Sequence, residues 1–130
     1  MEDPNAITHH IASLNGPEGD GSFHRLLEAG SAALPFLRRA LTGPLAPPVK
    51  AQLIELIWQT RDPEVVGDLA AALNDPAPEV WKAALDGLVT IGDSSAAAAL
   101  QSALSAAQRG AHRVPVDWLA EALAQVRTHQ

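Results

Sequence analysis

The sequence predicts an all-α fold, an α-solenoid of about four antiparallel helix pairs. Three observations carry that expectation. Apolar residues recur at i, i+3, i+4 and i+7 between recognisable caps, and no stretch alternates as a strand would. The helices come in pairs whose apolar positions repeat every 31 to 35 residues. Alanine supplies much of the 47% hydrophobic fraction and tyrosine is absent, which suits closely packed helices better than a sheet built on aromatic and β-branched side chains. The 130 residues are expected to form a single repeat domain over 1–130, long enough to bury roughly two-thirds of the surface of the unfolded chain.

Taken in order, the helices are expected over residues 4–14, 22–29, 31–42, 47–60, 63–74, 78–91, 94–108 and 115–128. They group as pairs over 4–29, 31–60, 63–91 and 94–128. GPEGDG at 16–21 reads as a loop between the first two; no strand precedes it, so it fits no phosphate-binding fingerprint. Asp62-Pro63-Glu64 offers an N-cap, a first-turn proline and an acid at the positive end of the helix dipole. Asp75-Pro76-Ala77-Pro78-Glu79 repeats the device, and Asp93-Ser94 supplies another cap. Gly43, Gly92 and Gly110 each follow an apolar run, where a C-terminal glycine belongs. In the first helices Leu37/Leu41, Leu69/Leu73 and Leu100/Leu104 correspond at spacings of 32 and 31. In the second helices Leu53/Ile57, Ala84/Leu88 and Leu119/Leu123 correspond at 31 and 35, the extra residues falling in the loop SAAQRGAHRVP.

The run DPEVVGDLAAALNDPAPEVWKAALDGLVTIGD resembles the HEAT repeat, in particular the short bacterial HEAT-like repeat of the phycobilisome-lyase type. The residues that carry the resemblance are Asp62-Pro63, Leu69, Leu73, Asp75, Val80, Ala84, Leu85, Leu88 and Ile91-Gly92-Asp93. It is clear over 62–93, weaker over 31–61 and 94–128, and rests on position alone over 1–30. The family commonly has arginine where this chain has Trp81. In HEAT-type solenoids the second helices line the concave face, which the resemblance implies for this chain too.

Counting about 100° per residue from Leu53, Ala84 and Leu119 places each second-helix side chain. Val80, Leu85, Leu88 and Ile91 fall in an apolar arc, and Trp81 lies within it at about +60°, so it is expected to pack under or between repeats. Trp58 falls at about 140° and Trp118 at about 260°, away from that arc. Between them, at about 200°, Glu55, Asp86 and Glu121 stand in register, with His24 in the equivalent place of the first pair. Beside this row run Glu28, Gln59, Thr90 and Gln125. An acid on an outward helix face is commonly just solvated. The indoles point instead to binding, because exposed tryptophan is enriched in interface hot spots, although Trp118 also suits the covering of the array's end. The expected partner-binding residues are Glu55, Trp58, Gln59, Asp86, Thr90, Trp118, Glu121 and Gln125.

Charge narrows the partner. The net charge is −6. Residues 1–61 carry six acids and five bases, 62–108 seven acids against Lys82 alone, and 109–130 two acids and three bases. The excess lies in the middle of the sequence, the wrong sign for nucleic acid, and it speaks against the basic concave face that HEAT-like DNA glycosylases need. No catalytic residue and no metal site is expected: cysteine is absent, His9 and His10 are neighbours that point about 100° apart on a helix, and His24, His112 and His129 are isolated. The His-Glu pairs of the iron-dependent HEAT-type hydroxylases are missing. Without cysteines, a basic-apolar leader or a stretch of about 18 apolar residues, the chain is expected to be soluble and cytoplasmic.

The favoured function is a non-catalytic protein-binding module, without cofactor, whose acidic concave face meets a basic partner protein. A bacterial immunity or antitoxin protein that masks the basic active site of a toxin is a concrete form of it. Two alternatives are a bilin lyase-like subunit, implied by the resemblance alone, and a structural homo-oligomerisation unit built on the alanine-rich SSAAAALQSALSAA.

Overall fold

The computed structural model describes residues 4–128. They form eight α-helices: α1 Pro4–Ala12, α2 Gly19–Ala29, α3 Leu34–Leu41, α4 Pro47–Gln59, α5 Val65–Ala72, α6 Pro78–Ile91, α7 Ser94–Gln108 and α8 Val116–Thr128. A single 3-10 turn, Gly30–Ala33, joins α2 to α3. Among the described residues there is no strand. None of these helices is long and apolar enough to cross a membrane. His129, read from the sequence as an isolated histidine, lies outside the described residues.

Consecutive helices pack as pairs, α1 on α2, α3 on α4, α5 on α6 and α7 on α8. The second members also touch in succession, α2 with α4, α4 with α6 and α6 with α8. The α4–α6 contact is the most extensive between the described helices. One apolar core runs through the stack. Leu53, Ile57, Leu69, Val80, Ala84, Leu88, Leu100 and Leu119 are wholly inaccessible, each leucine contributing roughly 2–3 kcal/mol by leaving water. The apolar repeat positions read from the sequence are therefore the ones that join neighbouring helices.

Several boundaries differ from the expected ones for identifiable reasons. Asp62 does not cap a helix that begins at Pro63: its Oδ1 accepts from the Glu64 N–H at 2.9 Å, an Asx turn that delays α5 to Val65. Asp75 makes the same turn onto the Ala77 N–H at 2.9 Å, while Ala77, extended at ψ 123, takes the conformation a following proline requires. The helix expected from residue 31 begins at Leu34, because Pro35 has no N–H to donate and is tolerated only in a first turn. The first helix ends at Ala12 rather than 14.

The expected loop GPEGDG is partly helical, since α2 begins at Gly19. A Cβ at Gly19 would stand 2.3 Å from the Leu14 carbonyl oxygen, so the chain closes tightly there only because that residue has no side chain. Asp93 does cap α7, its Oδ1 accepting from the Ala96 N–H at 2.8 Å. Gly92 and Gly110 are left-handed at φ 61 and 74; Gly43, after α3, is not among the left-handed residues, whereas Arg61, two residues after the end of α4, is, at φ 59.

Candidate functional site: a recess on the second helices

The side-by-side α4, α6 and α8 leave a recess of about 670 Å³. Its apolar lining comes from Leu85, Val89 and Ala122, with the indoles of Trp58 and Trp118 beside them. Its polar lining is Asp86, Thr90, Asp117, Glu121 and Gln125. Leu85 and Ala122 are buried, whereas Asp86, Asp117 and Glu121 are exposed. The arrangement joins apolar surface to carboxylates that remain in water.

Local packing fixes both indoles. Trp58, half-buried, lies against the backbone of α6 at Gly87, where a Cβ would sit 2.7 Å from its Cγ and Cδ1. Trp118 is 46% exposed, an unusual value for so large an apolar group. It is braced from behind by Trp81, with ring centroids 5.4 Å apart and planes at 86°, the edge-to-face arrangement that the aromatic quadrupole favours. Trp81 itself is 7% exposed. It packs between repeats, joining α6 to α8. The Lys82 ammonium stands 5.4 Å from the Trp118 centroid and 5.8 Å from that of Trp81, within the range of a cation–π contact.

The electrostatics of the recess contrast with those of the contact between α3 and α5 and of the turn before α6. Arg38 pairs with Asp68 at 2.8 Å and with Glu64 at 3.5 Å, and Lys50 pairs with Asp75. The hydrogen bond to Asp68, with Glu64 adding to it, holds the Arg38 guanidinium above its usual pKa despite partial desolvation. Burial pushes the Asp75 carboxyl up, but the Lys50 ammonium, the Ala77 N–H and Arg113 outweigh it and hold the group below the usual carboxylate range. Among the described residues, no Lys, Arg or His forms an ion pair with Asp86, Asp117 or Glu121. The same residues include no group of three or more His, Asp or Glu placed to hold a metal ion.

Of the eight residues expected at the site, Trp58, Asp86, Thr90, Trp118, Glu121 and Gln125 line this one recess. Glu55 and Gln59 do not. They lie on α4 beside it, with the Gln59 amide donating to Glu55 Oε1 at 3.4 Å. The Thr90 hydroxyl, exposed, donates to the Asp86 carbonyl one turn back along α6 at 2.8 Å. Leu85, Val89, Asp117 and Ala122 complete the lining and were not expected there. A signal for Asp117 exists, since the same angular count puts it at about 160°, between Trp58 and the acidic row. His9 and His10 line a separate recess with Arg25.

Compared with known families, residues 34–124 match a family model described as HEAT repeats. No curated protein and no solved structure matches the chain.

Proposed function

The chain belongs to the HEAT-repeat family, and from that premise we propose that it is a protein-binding module which holds a basic partner in the recess between α4, α6 and α8. Repeats of this family generally mediate protein–protein interaction. One observation supports placing the interaction here. Glu64, Asp68 and Asp75 are met by Arg38 and Lys50, whereas Asp86, Asp117 and Glu121, which form no ion pair among the described residues, border the most exposed tryptophan of the chain. Unneutralised charge speeds encounter with a surface of opposite sign, and fixed indoles supply contact area that releases water on binding. A single HEAT-like domain that shields the basic active site of a toxin, as an immunity protein would, is a concrete form of this role.

Parallel capture with the wild-type chain and an Asp86→Lys/Glu121→Lys variant tests the proposal. A basic protein should be retained by the wild type at about 0.15 M salt, released towards about 1 M, and not retained by the variant. Charge reversal should slow its association on the order of tenfold. Equal, salt-insensitive retention by both chains would remove the recess from consideration.

A further inference from the structure

The recess carries more chemistry than a negative patch. Asp117 and Glu121 are i and i+4 on α8, so their side chains start roughly 5–6 Å apart on one face. Asp86 approaches from α6, whose axis lies roughly 8–10 Å away. These carboxylates share the recess with two indoles. The rim already shows what the aromatic part attracts, because the chain's own Lys82 ammonium rests 5.4 Å from the Trp118 centroid.

Resting on the reading above, we propose that the recess is a guanidinium site: the partner inserts an arginine, stacked on the lining indoles and forked between the carboxylates of Asp86, Asp117 and Glu121. A guanidinium is flat, weakly hydrated and carries five N–H donors, so it meets an aromatic face and several carboxylates at once. A lysine ammonium is compact and strongly hydrated and does neither as well. The volume of about 670 Å³ exceeds one side chain. Apolar neighbours of the arginine therefore settle on half-buried Val89 and the indoles beside it, and the occupant is a protein segment rather than a free amino acid.

The test titrates the whole chain with the acetylated, amidated peptide GLRALRG, its lysine counterpart and its citrulline counterpart, following the three tryptophan indole N–H resonances by NMR. The arginine peptide should shift the Trp58 and Trp118 signals saturably and leave buried Trp81 least affected. Lysine should bind roughly threefold or more weakly, and uncharged citrulline on the order of tenfold or more weakly. The near-isosteric Asp86→Asn/Glu121→Gln variant should lose the response. Lysine binding as tightly as arginine, no response at all, or an arginine response untouched in that variant would each overturn the assignment. If the peptides fail while charge reversal still abolishes capture of a basic protein, the guanidinium assignment falls alone. If both fail, the binding face falls with it.

Discussion

Gly87 is the position where one methyl group should matter most. A Cβ there would meet Trp58 Cγ and Cδ1 at 2.7 Å and Trp58 Cβ at 2.9 Å, against 3.4 Å or more for ordinary contact. Rotating the indole relieves the ring contacts but not the one to Cβ, which is fixed to the α4 backbone. Helices α4 and α6 must then part by about half an ångström at their closest point, along the largest helix–helix contact of the fold. Such overpacking costs about 1–3 kcal/mol. Replacing a mid-helix glycine by alanine returns about 1 kcal/mol through helix propensity. Gly87→Ala should therefore destabilise by about 1 kcal/mol.

Gly67 provides the control, because it is exposed in α5 and a Cβ there meets nothing within 4 Å. Gly67→Ala should gain about 0.5–1 kcal/mol. At roughly 4 °C per kcal/mol for a chain of this size, thermal unfolding followed by circular dichroism should separate the two variants by about 6–8 °C. The Trp58 indole resonance should move only in Gly87→Ala. If Gly87→Ala proves as stable as Gly67→Ala, the close approach of Trp58 to α6 is wrong and the wall of the recess is misplaced.

Asp75 both pairs with Lys50 and holds the turn before α6, so Asp75→Ala should cost about 2 kcal/mol, read as a lower urea midpoint with unchanged slope. Arg61 carries left-handed strain at φ 59, worth about 1 kcal/mol in a residue with a Cβ; Arg61→Gly should raise Tm by about 2 °C after its entropy loss, and a fall in Tm would contradict this. Asp93 is held low by the Ala96 N–H and the Ser95 hydroxyl, as Asp75 is by its partners, and a carboxyl lowered on folding contributes stability above its unfolded pKa. The carboxylate contribution to the urea midpoint should accordingly hold down to about pH 4 and fall below it, less steeply in Asp93→Asn. Burial lowers the His112 pKa, which places a smaller loss of stability below about pH 6.5; that loss should vanish in His112→Gln.

Local chemistry made much of the fold legible. Asp93 capping α7 and Gly92 ending α6 depend on a few adjacent residues, and both stand as read. The sequence marks Asp62 and Asp75 as helix-start residues, yet composition alone does not distinguish a cap from an Asx turn, and the difference shifts the start of α5 by two residues. Arg61 gave no signal, because nothing in its chemistry announces a left-handed backbone. The acidic row was readable because counting at about 100° per residue orders side chains around each helix. That count carries no information on how far apart successive helices stand or how one is turned against the next. It could therefore place Trp81 in the interior but not against Trp118, and it could not say that the recess would take in Asp86 and Glu121 while leaving Glu55 outside.

Charge shows most clearly what linear reading misses. Counted along the sequence, the acidic excess belongs to residues 62–108, while 109–130 are net positive. In space, three acids of that middle stretch, Glu64, Asp68 and Asp75, are met by Arg38 and Lys50 from the preceding one. Two of the three recess carboxylates, Asp117 and Glu121, come instead from the net-positive end. The bases of that end do not pair with them. Arg127 donates to the Gln101 side chain at 3.0 Å, and Arg113 acts on Asp75. Folding thus sets Asp117 and Glu121 beside Asp86 on the face that also exposes Trp118, a grouping the count along the sequence does not show. A partner recognising this protein by charge would meet α6 and α8 together, so reversing Asp86 alone should weaken binding less than reversing it with Glu121, and reversing Glu79, outside the recess, should matter least.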